Sequence, residues 1–170
     1  RLLPADGSVK LRPLTTSMGV FVLAGPRSRE LLQSLTDTDL SNAAFPWLTG
    51  KALSVGNVGV DALRVNFVGE LGWELHVPVR GICAVYDSLM AAGQPLGLAL
   101  TGYRALESLR LEKGYRAWGS DITPNDTPLE AGLGWAVKLR KNTDFVGRRG
   151  LEKLNGAALT KRFAGFTVDD

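Results

Sequence analysis

The chain has 170 residues, 45% hydrophobic and 22% charged, with a formal net charge of +3 and an isoelectric point of about 9.2. That is an ordinary globular balance, long enough for a substantial core, and no apolar run reaches the ~18 residues that would cross a bilayer as a helix. One cysteine, Cys83, and one histidine, His76, exclude an intrachain disulfide, a cysteine metal cluster and a two-histidine metal site.

Taken in chain order, the opening RLLPADGSVKLRP is mixed and proline-broken, without the pattern of a signal peptide. It begins without methionine, so the chain reads as a piece of something longer. Met18–Ala24 is apolar and valine-rich, a predicted buried strand. Gly25-Pro26 ends it and opens a predicted helix with Leu31, Leu32 and Leu35 at helical spacing. Residues 36–49 read as a loop. Leu53–Val58 and Val60–Phe67 read as strands. Gly81–Met90 reads as a helix with Ile82, Val85, Tyr86 and Leu89 on one face, and Cys83 is expected to pack within it.

Arg64–Pro78 (RVNFVGELGWELHVP) shows period-two alternation twice, predicting two short strands about a glycine turn. In that register Glu74 points away from Trp73 and Leu75. A carboxylate among apolar neighbours needs a cationic or hydrogen-bonding partner, supplied either by the protein or by a ligand. Further on, Thr101–Lys113 is a predicted helix that Gly114 stops, with Glu107 and Arg110 an i,i+3 pair. Thr127-Pro128-Leu129-Glu130 has the form of a capping box, opening a helix that Gly132 and Gly134 keep short. Trp135–Leu139 reads as a strand, Phe145–Leu154 as a helix, and Arg162–Val168 as the start of another strand. Irregular interspersion with hairpin-like neighbours predicts an α+β fold with a mainly antiparallel sheet and packed helices.

The usual nucleotide-phosphate loops, GxGxxG and GxxxxGK[ST], are missing. So is GxSxG, and one histidine leaves little room for a Ser-His-Asp triad. The basic excess at Lys138, Arg140, Lys141, Arg148, Arg149 and Lys153 reads as a solvated face or as a rim for an anionic tail on a small ligand. No basic stripe is interleaved with aromatics, so no nucleic-acid partner is expected. The pattern favours a binding module over nucleophile-and-base catalysis.

Phe67-Val68-Gly69-Glu70-Leu71-Gly72-Trp73-Glu74 resembles the folate-binding aminomethyltransferase family (the glycine cleavage T-protein family), whose pattern is aromatic-x-Gly-Glu-x-Gly-x-Glu. Glu107–Gly114, Thr127–Trp135, Val137-Lys138-Leu139, Asp144–Arg148 and Gly25–Arg29 match the family in order and spacing. Tyr115–Gly119 and Thr38–Pro46 look most like the folate domain of sarcosine and dimethylglycine dehydrogenases.

The resemblance implies a tetrahydrofolate-binding portion, residues 1–160, of a longer oxidoreductase. An FAD-dependent oxidase domain elsewhere in the same parent chain would make an imine from an N-methyl amine. Tetrahydrofolate would capture the one-carbon unit as 5,10-methylene-tetrahydrofolate. Residues 161–170 would open the C-terminal barrel. It also implies a bacterial cytoplasmic or mitochondrial matrix location, with no membrane partner. The alternatives are a free-standing glycine cleavage aminomethyltransferase and a non-catalytic folate-binding protein.

By resemblance Glu74 binds the pterin, whose 2-amino group and ring N–H are coplanar donors that a carboxylate accepts as a fork. Phe67 stands where relatives have a pterin-flanking tyrosine, leaving stacking alone, and Trp135 stands at a pocket-lining aromatic. For both, core packing is the competing reading. Glu70 is either part of the site or a cap on the turn's amides. The aminomethyltransferases carry a folate-contacting arginine where this chain has Leu106, and Tyr103 and Arg104 are the nearby candidates to replace it. The family's catalytic aspartate lies upstream of Met18 in a segment with no counterpart here, so no catalytic residue is assigned, and Asp61, Asp87 and Asp121 are not promoted to the role. No metal site is expected.

Overall fold

The computed structural model describes residues 3–168. The chain divides into two compact units, Arg1–Leu109 and Arg110–Asp170.

The first unit is built on a four-stranded antiparallel sheet in the order β1-β4-β3-β2. Its strands are β1 (Met18–Ala24), β2 (Gly50–Val55), β3 (Val58–Leu63) and β4 (Gly72–Pro78). β2 and β3 form a hairpin about Gly56-Asn57, and Gly56 takes the positive φ of 55° that such a tight turn favours. β4 then inserts between β3 and β1, so chain neighbours give way to a non-local pairing at the centre. Helices α1 (Ser28–Gln33) and α2 (Ile82–Gly93) supply Leu31, Leu32, Val85 and Leu89 to one core with Leu23, Leu53, Val55, Val60, Trp73, Leu75 and Val77. One sheet face is therefore buried and the other open, the usual condition of an antiparallel sheet.

Trp73 is fully buried at the middle of this core. Its ring lies 6.4 Å from Phe45, and the Arg29 and Arg64 guanidiniums each sit 5.9 Å from its centroid. Both arginines also donate to Asn42 Oδ1, at 2.7 and 2.6 Å, and Arg64 donates to Phe45 O at 2.5 Å. The loop over residues 36–49 is thus tied to β4 through two cations on one indole.

The α+β, mainly antiparallel expectation agrees with this sheet, but four strand expectations differ, the first being Leu53–Val58, which spans the Gly56-Asn57 turn because β2 ends at Val55 and β3 opens at Val58. Arg64–Phe67 is a bend, not a strand: Asn66 Oδ1 accepts the Val68 and Gly69 amides at 3.0 and 2.9 Å, and its Nδ2 donates to Glu70 O. A side-chain clamp of this kind competes with ladder pairing. Trp135–Leu139 instead opens with a single 3-10 turn over Gly134–Ala136. Residues 161–168 have no ladder partner among the described residues, and Phe163 N donates to Glu130 O at 2.8 Å. A lone extended segment has no sheet to join. Cys83 is exposed, because the buried stripe of α2 runs through Val85 and Leu89 and leaves position 83 on the other side.

The second unit uses short elements and polar clips. α3 (Tyr103–Glu112) ends within it, and α4 (Arg148–Leu154) follows Gly147, whose φ is 93°. Arg110, 5% exposed, pairs with Asp121 and donates to Tyr115 O at 3.1 Å. Arg116 donates to Gly114 O and Ala131 O at 2.6 and 2.9 Å and lies 5.0 Å from the Phe163 ring. The capping box forms as read: the Thr127 amide donates to Glu130 Oε2 at 2.9 Å, and the Glu130 amide to Thr127 Oγ1 at 3.2 Å. The turn it opens stops at Gly132, φ 69°.

Candidate functional site

β4 carries the central carboxylate, and its alternation decides which way that group points. Trp73, Leu75 and Val77 are buried, so Glu74 and His76 fall on the open face. Register sets their neighbours. Glu74 lies between Val22 of β1 and Leu63 of β3, and His76 lies between Val20 and Asp61. The Glu74 side chain is 33% exposed and is flanked across the sheet by two exposed aliphatic residues. Its Oε2 is 3.6 Å from His76 Nε2, too far for a hydrogen bond. Among the described residues nothing donates a hydrogen bond to the Glu74 carboxylate. That leaves its lone pairs available to a planar pair of donors, and Val22 and Leu63 offer apolar walls to a flat ring.

Gly72 permits this geometry. A Cβ there would sit 2.5 Å from Leu23 O, so only glycine lets β4 enter the sheet beside Ala24. A shallow cleft of about 140 Å³ on the same face is lined by Met18, Ala52, Gly59, Asp61, His76 and Pro78. Alternation along β4 puts His76 on the face of Glu74, since residues two apart on a strand share a face. Asp61 carries no such local signal, because it arrives by β3–β4 register.

Phe67 and Glu70 lie in the bend that leads into β4, and Phe67 is 37% exposed. The turn's amides are held by Asn66, not by the Glu70 carboxylate, which has no hydrogen-bond partner among the described residues. An asparagine three residues before a positive-φ glycine (Gly69, φ 78°) was the signal for that role. Glu74, Phe67 and Glu70 thus occupy one strand and its lead-in. Tyr103 and Arg104 are exposed in the first turn of α3, and Arg104 has no hydrogen bond or ion pair among the described residues. Trp135 belongs to the second unit and is 70% exposed, so core packing does not account for it. No three His, Cys, Asp or Glu side chains gather as a metal site among the described residues.

The family profile of the GCVT N-terminal domain matches residues 1–141. The chain is 48% identical over 153 residues to the mitochondrial sarcosine dehydrogenase of Homo sapiens, which covers 90% of this chain and 17% of that protein. It is 42% identical over 160 residues to the mitochondrial dimethylglycine dehydrogenase of Homo sapiens, covering 94% and 18%. Among solved structures, the glycine cleavage system aminomethyltransferase T from Bartonella henselae superposes with a TM-score of 0.67 at 27% identity, over 81% of this chain and 36% of that one. The chain spans under a fifth of the length of these two dehydrogenases.

Proposed function

The chain belongs to the family of the GCVT N-terminal domain, and from that premise we propose that it is the tetrahydrofolate-binding portion of an FAD-dependent sarcosine or dimethylglycine dehydrogenase. The observation that carries the reading is Glu74: a carboxylate on an open sheet face, walled by Val22 and Leu63, with no hydrogen-bond donor on it among the described residues. Tetrahydrofolate fits that donor set, because its pterin edge offers two coplanar N–H groups to a group that has none. When bound, the folate supplies the nucleophilic nitrogens that take up a one-carbon unit released from an N-methyl amine, giving 5,10-methylene-tetrahydrofolate.

The chain's own residues bind and orient. Glu74 fixes the pterin edge, the aliphatic pair covers its faces, and Phe67 adds an aromatic contact without the hydroxyl of the related tyrosine. Glu70, Tyr103 and Arg104 of the same unit, and by resemblance alone Trp135, are the further proposed folate residues. No residue here takes the acid–base role, and the FAD chemistry belongs to another domain of the parent chain. Residues 1–160 form the folate portion and 161–170 lead toward the barrel. The mitochondrial relatives support a matrix location, with the bacterial cytoplasm as the counterpart. The greater identity to the dehydrogenases, together with Leu106, favours this reading over a free-standing aminomethyltransferase.

Calorimetric titration with a stable reduced folate tests it. Glu74→Gln keeps the shape and removes the charge, and should weaken binding about 30-fold, about 2 kcal/mol. Equal affinity of the variant and the parent sequence rules the pterin assignment out.

A further inference from the structure

The second unit contains a pocket of about 550 Å³ that the folate reading leaves unused. Its floor is apolar, with Leu129, Val137, Leu139 and Leu151, and its rim carries Lys138, Arg140 and Lys141. The volume falls in the range of about 300–1,000 Å³ typical of small-molecule sites. Among the described residues no carboxylate lines it.

The rim is held in place by the fold. Arg148, at the start of α4, donates to Leu139 O at 2.7 Å and Lys141 O at 3.0 Å, stapling the 139–141 backbone to the helix. Lys138 Nζ donates to Trp135 O at 2.9 Å, and Lys141 Nζ lies 5.7 Å from the Phe145 ring. Arg140 has no ion pair among the described residues. The nearby acids are engaged elsewhere: Glu152 accepts from Arg148 at 2.8 Å, and Asp144 accepts the Phe145 amide at 2.9 Å. This rim contrasts with another cluster in the same unit, where Asp126 and Lys161 neutralise each other at 2.7 Å. Three cations around an apolar floor, two of them held by these contacts and none paired with a carboxylate among the described residues, focus positive potential on that floor.

We propose that this pocket binds a small organic carboxylate with an apolar chain: the carboxylate against Arg140 and Lys141, the chain on Leu129, Val137, Leu139 and Leu151. A guanidinium matches the two oxygens of a carboxylate as a fork, which a neutral head group does not. The proposal does not rest on the folate reading; of that reading's residues only Trp135 enters, through the carbonyl that holds Lys138.

Octanoate titrated calorimetrically into the full chain is the probe, with octanol and acetate as the uncharged and chainless controls. Octanoate should bind saturably at one site, and both controls should bind at least roughly tenfold more weakly. The double variant Arg140→Glu, Lys141→Glu lies on the exposed rim and should weaken octanoate by roughly tenfold or more with an unchanged circular dichroism spectrum. Leu151→Asp should do the same from the floor. If octanol or acetate matches octanoate, or if charge reversal leaves octanoate binding intact in a folded chain, the site is not an amphipathic-anion pocket. Reduced-folate titration of the charge-reversal variant separates the two readings, because loss at Glu74 and loss at Arg140 are read with different ligands.

Discussion

The two units stabilise themselves by different physics. The first buries a continuous apolar core, from Leu23 through Trp73 to Leu89, under one face of a sheet. In the second the described buried residues are Ala131 and Arg110, and the order comes from side chains that clamp backbone: Arg110 on Tyr115, Arg116 on Gly114 and Ala131, Arg148 on Leu139 and Lys141. Burial is non-directional and scales with apolar area, whereas a clamp is directional and fails when one partner goes. The sheet unit is therefore suited to holding one carboxylate at a defined register. The clamped unit is suited to presenting loops.

The largest effect that would break this contrast lies in the core. Trp73→Ala should cost about 3–5 kcal/mol in denaturant unfolding followed at the sheet unit. A loss under about 1 kcal/mol would mean that the sheet, too, depends on clamps. In the second unit, Asp121→Asn removes the carboxylate that pairs with buried Arg110. The Ala117 amide, and then Arg110, hold the Asp121 carboxyl below its ordinary range. Because the carboxylate is partly exposed, the cost should be on the order of 2 kcal/mol rather than the 3–5 of a sealed pair. Thermal unfolding of the variant measures it.

A smaller effect separates propensity from packing. Thr127→Ala removes the hydroxyl that accepts the Glu130 amide and should cost about 1 kcal/mol. An unchanged midpoint would show that the Pro128 turn stands without its cap. The smallest and most specific effect is acid-dependent. Lys161, with the Thr123 amide and hydroxyl, lowers Asp126 from 3.8 to about 2. Since the folded value is the lower one, the unfolded chain binds the extra proton. The contribution is complete above about pH 4 and is lost as the pH falls toward 2. Lys161→Met should make stability less steep across that window, the Thr123 bonds keeping the rest, and leave the slope near neutrality unaltered. An acid limb as steep as that of the parent sequence would place the sensitivity elsewhere.

Local pattern accounts for much of this molecule. The pattern marks Met18–Ala24 as a strand to the residue, α1 and α3 lie within their predicted helical stretches while α2 runs past Met90 to Gly93, and the Thr127 box is visible as a four-residue motif. Each of these depends on neighbours a few residues apart, which a sequence displays directly. The direction of Glu74 was also legible, because alternation with Trp73 and Leu75 sets it. Where the same signal misled, the cause was a competitor at a distance or a missing one. Arg64–Phe67 alternates like a strand, yet Asn66 clamps the bend and Arg64 is drawn to Phe45 and Asn42. Cys83 sits in an apolar helix but off the stripe that packs.

Residue order alone carries the set of local elements and the side of β4 on which a carboxylate lies. Only the tertiary structure decided that β4 enters between β1 and β3, placing Val22 and Leu63 beside Glu74 and Asp61 beside His76. It also decided that Lys138, Arg140 and Lys141 border an apolar floor. The physical reason is that strand order and pocket walls are pairings between residues far apart in the chain, and a periodic pattern carries which face is apolar but not which partner it will meet.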